Sequence, residues 1–165
     1  VIDKSDMLSE LIDPPKEGAV LGANTKKLKD DEKRAYQEKI KKEREGKIVR
    51  LLAFLKRQKS PVATYEIASL VVNDSEANGA DYRVVIAISG VESGFCRASF
   101  SYNCFGYLNG AHYGSFMQAF SDIVPKVARQ YAARYGWNFE ALAKAYGQHE
   151  WQRTSANMRY FANQI

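Results

Sequence analysis

The sequence predicts a mainly α-helical protein: a long charged helix, then a helical domain interrupted by one irregular loop or short β-hairpin. Three observations predict it. Residues 26–59 are rich in Lys, Glu, Leu, Ala and Arg with the single Gly46, the make-up of a solvated helix. From Ser60 onward, apolar residues recur at helical spacing between residues able to cap helices. Residues 94–114 break that rhythm with four Gly, three Tyr and both cysteines, and read as loop or hairpin.

Taken in order, residues 1–25 contain Pro14-Pro15, Gly18 and Gly22 with few aromatics, and are expected to be an extended or disordered lead-in. In the charged helix of residues 26–59, apolar positions are sparse at Leu28, Ala35, Tyr36 and Ile40. They become dense at Ile48, Val49, Leu51, Leu52, Phe54 and Leu55. The first half is therefore expected to project and the second to dock. Residues 60–165 form the third segment. Pro61 suits the first turn of a helix reaching Asn73, with Val62, Tyr65, Ile67, Ala68, Val71 and Val72 as core candidates. Asp81 is an N-cap for a helix over Tyr82 to Ser93, and Gly94 supplies its stop. Ser115 or Asp122 caps the next helix, which Pro125 is expected to break near Ser121. Asn138 caps a short helix through Tyr146, and Thr154 or Ser155 caps the last one, reaching Ile165.

The net charge of +5 is very uneven. Residues 1–25 carry two Lys against five acids, residues 26–59 fourteen Lys or Arg against six acids, and residues 60–165 eight of each. The interleaved acids of the basic helix, with no accompanying nucleic-acid motif, argue against nucleic-acid binding. They leave a solvated spacer as the expected role, with contact to an anionic surface or a protein partner as the alternative. No eighteen-residue apolar run is present to span a bilayer. Neither a secretory signal nor an anchor is visible in this chain, which opens at Val1 rather than Met. Cys96 and Cys104 lie eight positions apart in one loop, close enough to be bridged if the protein is exported. A reduced pair of core residues is the alternative. Zinc is disfavoured, because the two cysteines with His112 and His149 match no ligand spacing. No metal or other cofactor is expected.

The chemistry centres on Glu92, in Val91-Glu92-Ser93-Gly94-Phe95 at the end of an apolar helix. A carboxyl held on a rigid core helix and turned into an aromatic cleft is desolvated, and its protonated form persists to higher pH. Such a group serves as the general acid of glycosidic cleavage. The alternative is an ordinary surface Glu in a last helical turn.

The run Glu92-Ser93-Gly94-Phe95, followed by Ser101-Tyr102-Asn103-Cys104-Phe105-Gly106-Tyr107, resembles the catalytic module shared by lytic transglycosylases and bacterial endo-N-acetylglucosaminidases. The resemblance covers about residues 62–165, and Ala145-Tyr146 is similar to the segment that places a Tyr opposite the acid. It implies a lysozyme-like fold, peptidoglycan or a related N-acetylated glycan as substrate, and Glu92 as proton donor. Tyr146 is implied as the residue that positions the reacting sugar. Ser93, Asn103 and Gly106 are implied as cleft contacts. Tyr102, Phe105, Tyr107, Tyr113 and Trp151 are candidates for stacking on sugar faces. The Gly-Leu-Met-Gln segment common in transglycosylases has no clean counterpart: Gly114-Ser115-Phe116-Met117-Gln118 is nearer a helix-start capping box.

A glycoside hydrolase normally sets a second carboxylate across the sugar. After Glu92 the only acids are Asp122, Glu140 and Glu150, and none lies in the Gly- and Tyr-rich loop. A single acid performing both proton transfers suits a lytic transglycosylase. The competing expectations are a hydrolysing endo-N-acetylglucosaminidase or muramidase, and a non-catalytic wall-binding or scaffold protein. An extracellular or cell-envelope location accompanies all three.

Overall fold

A computed structural model describes residues 17–107 and 111–165, with side chains from residue 26. Seven α-helices run in chain order among them: α1 Glu17–Arg57, α2 Tyr65–Ala77, α3 Tyr82–Ser93, α4 Phe116–Val127, α5 Ala133–Tyr135, α6 Phe139–Ala145 and α7 Trp151–Asn163. A π-helical turn over Ala128–Ala132 joins α4 to α5. The chain is thus mainly α-helical. Among the described residues no strand forms, and the irregular loop contains only an isolated antiparallel bridge between Phe100 and Asn103. No described helix is long and apolar enough to cross a membrane.

The chain divides into two compact units after Lys42, within α1. In the first, residues 26–39 are all exposed, as their charged composition requires. Residues 17–25 are helical, which corrects the extended lead-in expected over 1–25 for its last nine positions. Ala19, Leu21 and Ala23 are good helix formers, and the helix runs on through Gly18 and Gly22. Residues 1–16 of that lead-in lie outside the described residues.

In the second unit, the last turns of α1 bury Ile48, Leu51, Phe54 and Leu55, while Val49 is exposed. The Phe54 ring meets Phe95 edge-on at 5.1 Å, and Phe95 meets Phe161 of α7 at 4.9 Å. Helix α3 is the hub: every residue from Val84 to Gly90 is buried, the mark of a helix with neighbours on all sides. Gly90 is where the rings come closest, since a Cβ there would lie 2.6 Å from the Phe95 ring and 2.8 Å from that of Phe161. A larger residue would force this contact open.

Asp81 caps α3 through the Arg83 N–H, and Gly94 ends it in the left-handed conformation at φ 59°. Ser115 caps α4 and Asn138 caps α6. Three expected boundaries are corrected. Helix α2 begins at Tyr65 under a Thr64 cap, because Ser60-Pro61 is taken up by a turn in which the Ser60 hydroxyl donates to Phe95 O. Pro125 does not break α4 at Ser121. The buried face of Phe120, Ile123, Val124 and Val127 outweighs the one lost N–H donor. Helix α7 begins at Trp151 rather than after Thr154, with Met158 and Ala162 buried.

Candidate active site

The site is built where α3 ends. Gly94, Phe95 and Cys96 all have positive φ, at 59°, 60° and 71°, and the last two store backbone strain because they carry side chains. Three contacts hold the chain there. The Phe95 ring is clamped in the core. Ser93 Oγ accepts from Cys96 N–H at 2.9 Å and lies 2.8 Å from Cys104 O, to which it donates. Cys96 and Cys104 are joined by a buried disulfide. The segment 97–103 is thereby closed into a small loop that returns Phe105 and Gly106 to the end of α3.

Gly106, at φ 59°, packs its α-carbon against the Glu92 carboxyl; a Cβ there would collide with Oε2. The second carboxyl oxygen, Oε1, accepts from Gln148 Nε2 at 2.5 Å. Tyr146 donates its hydroxyl to Phe105 O at 2.6 Å. This places its ring beside Tyr131 at 4.7 Å. Burial holds the Glu92 carboxyl above the usual carboxylate range, and no charged neighbour contributes to that rise. Burial, then the neighbouring Glu92, also pushes the Tyr146 phenol far above its ordinary range, so it stays a neutral donor. The result is a half-buried, protonatable carboxyl between a glycine backbone, an amide and a phenol.

The other sequence candidates are distributed differently. Phe105 is fully buried, which corrects its assignment as a sugar-stacking ring: its side chain packs edge-on to Phe120 at 5.3 Å, and only its carbonyl serves the site. Ser93 is likewise buried, and its hydroxyl is spent on Cys96 and Cys104. It organises the loop and offers nothing to a ligand. Asn103 is bonded on both sides of its amide, donating to Tyr107 O and accepting from Phe105 N–H. Tyr107 reaches Gln130 with its hydroxyl at 2.8 Å. Tyr102 is exposed and meets Phe116 edge-on. Trp151 is covered by Lys144 Nζ at 3.9 Å, and no described bond ties it to Glu92.

Each later acid has a local partner. Asp122 is bonded by Lys126 and Tyr113, Glu140 by Lys144, and Glu150 by Arg153. Asp122 sits inside α4, with Ser115 taking the cap. Gln118 closes the helix start by accepting from Gly114 N–H at 2.7 Å, one residue before the position a capping box uses. Among the described residues no three His, Cys, Asp or Glu side chains converge as metal ligands.

Sequence reasoning missed Gln148 and the pair Gln130–Tyr131. The π-turn advances Gln130 and Tyr131 toward the loop and Tyr146, a use such bulges often serve at functional sites. Periodicity carries no signal for a π-turn. The signal available for Gln148 was its place just after Tyr146-Gly147 at the end of α6. A groove of about 540 Å³, lined by Gly90, Val91, Gln148, His149, Arg153 and Asn157 among others, adjoins this point.

No protein family, curated protein or solved structure matches this chain.

The disulfide gives a prediction for this loop. Replacing both cysteines with Ala is expected to destabilise the protein by about 2–3 kcal/mol, from the chain entropy restored to a loop of this length. Thermal denaturation measures it. Denatured, unreduced wild type should titrate with no free thiol, and two free thiols would remove the bridge.

Proposed function

We propose that the second unit is a lysozyme-like domain that cleaves peptidoglycan glycan strands as a lytic transglycosylase, with Glu92 as its single acid and base. The observation that carries this is the Glu92 carboxyl: desolvated on the hub helix, touching Gly106, beside the Tyr146 phenol, and raised in pKa by burial alone. In the proposed reaction, protonated Glu92 gives its proton to the glycosidic oxygen as the bond from that oxygen to the anomeric carbon breaks. The resulting carboxylate then takes the proton from the same sugar's own hydroxyl. The hydroxyl oxygen bonds to the anomeric carbon, an anhydro ring closes, and Glu92 is protonated again. Tyr146 positions the sugar, and the exposed ring of Tyr102 and the partly exposed ring of Tyr107 offer stacking faces.

The pairing of Asp122, Glu140 and Glu150 with their own cations favours one carboxyl over two. The disulfide favours an extracellular or envelope location. The charged part of α1 is read as a solvated spacer. Incubation with purified sacculi and analysis of released muropeptides tests the proposal. Anhydro ends support it. Reducing ends assign the domain to hydrolysis as an endo-N-acetylglucosaminidase or muramidase, and pelleting with sacculi without release assigns it to binding.

A further inference from the structure

We infer that Gln148 is a positioning residue that engages one oxygen of Glu92 and so fixes the other, Oε2, as the oxygen that carries and returns the proton. This rests on Glu92 being the acid. A neutral carboxyl has one protonated and one acceptor oxygen, and a rotating carboxyl exchanges them. Here the two are inequivalent. Oε1 accepts from the Gln148 amide at 2.5 Å, so the proton belongs on Oε2. Oε2 is the oxygen at Gly106, where it fills the place a side chain would otherwise take and meets no hydrogen-bond donor from Gln148.

The backbone holds Gln148 in this duty. At the end of α6, Gly147 takes φ 76°, its N–H donates to Lys144 O, and the Gln148 N–H donates to Ala143 O at 3.2 Å. These two bonds form the left-handed closure that ends many helices. It fixes the Gln148 α-carbon two residues past Tyr146, whose hydroxyl is bonded to Phe105 O. One helix end therefore delivers both groups, the phenol to the loop and the amide to the acid.

The ionisable groups that act on Tyr146 are Glu92 and the phenols of Tyr131 and Tyr107. His149, Glu150 and Arg153 line the adjoining groove. The Gln148 amide thus opposes burial by stabilising the carboxylate, which Glu92 must become between the two proton transfers.

The test uses the full chain with Gln148→Leu and Gln148→Glu. Turnover of purified sacculi is followed against pH, and the Glu92 carboxyl is titrated by carbon NMR, with Glu92→Gln identifying its signal. For Gln148→Leu, kcat is expected to fall about ten- to hundredfold with KM unchanged, the loss expected for one hydrogen bond to a charged group. Its Glu92 midpoint moves upward, because the donor that favoured the carboxylate is gone. Gln148→Glu keeps the shape: its turnover is expected to be lowest at neutral pH and to recover toward acid pH, where the introduced carboxyl is protonated and donates to Oε1 again. A tie to α3 that is merely structural would lower the melting temperature and shift the midpoint but leave kcat at the wild-type value, and that result overturns the inference. If wild type releases nothing and Glu92→Gln changes nothing, the functional reading fails instead, whatever the midpoint does.

Discussion

Replacing Glu92 with Gln is expected to lower the release of glycan fragments from sacculi by about 10²–10⁴-fold, the usual contribution of a positioned general acid. The amide keeps the shape and the hydrogen-bonding oxygen for Gln148, so the fold should survive. Ionisation gives the same substitution a second signature. Burial raises the folded-state pKa of Glu92, so its stabilising contribution is fully present below its unfolded pKa, roughly 4.3. It is lost as pH rises through the folded value, because the folded protein must then hold a desolvated charge. Gln cannot ionise. The stability difference between the two proteins should therefore move in favour of Glu92→Gln as pH rises across that window. Activity of wild type should fall over the alkaline part of the same window, as the acid loses its proton. A variant with wild-type turnover would end the enzymatic reading. One with lost turnover but no pH-dependent gain in stability would remove desolvation as the cause of the raised pKa.

Much of this arrangement was legible in the sequence because its signals are local. Asp81, Ser115 and Asn138 cap the helices expected of them, and Gly94 ends α3, since a cap is decided within one turn of chain. The spacing of Cys96 and Cys104 allowed either a bridge or a reduced pair of core residues, and the bridge is the one formed. What escaped was decided by distant contacts. Ser60-Pro61 reads as a helix start, yet Ser60 is bonded to Phe95, thirty-five residues on. Pro125 reads as a break, yet α4 buries four large side chains around it. Phe105 reads as a cleft ring because aromatic residues in a Gly-rich loop look exposed, and the disulfide turns it inward onto Phe120. Gln148 faces Glu92 because α7 packs on α3 and α6 on α7, which joins positions fifty-six residues apart that helical periodicity does not connect.

Gly106→Ala should separate the shape of the site from the stability of the loop. An L-residue at the left-handed φ of 59° costs about 1–2 kcal/mol. That cost is expected to appear as a fall in melting temperature of roughly 3–8 °C. The same strain arises in Gly79→Ala, where φ is 69° and an added Cβ meets nothing within 4 Å. The two variants differ in the contact alone. At Gly106 the added methyl occupies the position of Glu92 Oε2, so the carboxyl must rotate or withdraw from Gln148, and a displacement of that size costs about 10²-fold in rate. Gly79→Ala should melt lower and cleave sacculi like wild type; Gly106→Ala should melt at least as low and lose most of its turnover. Equal turnover in the two would show that Glu92 tolerates displacement, and the requirement for its position between Gly106 and Gln148 would fall. The comparison also bears on the loop's closure, because Gly106 lies two residues after Cys104 and reaches Glu92 only while the bridge and Ser93 hold that segment to the end of α3.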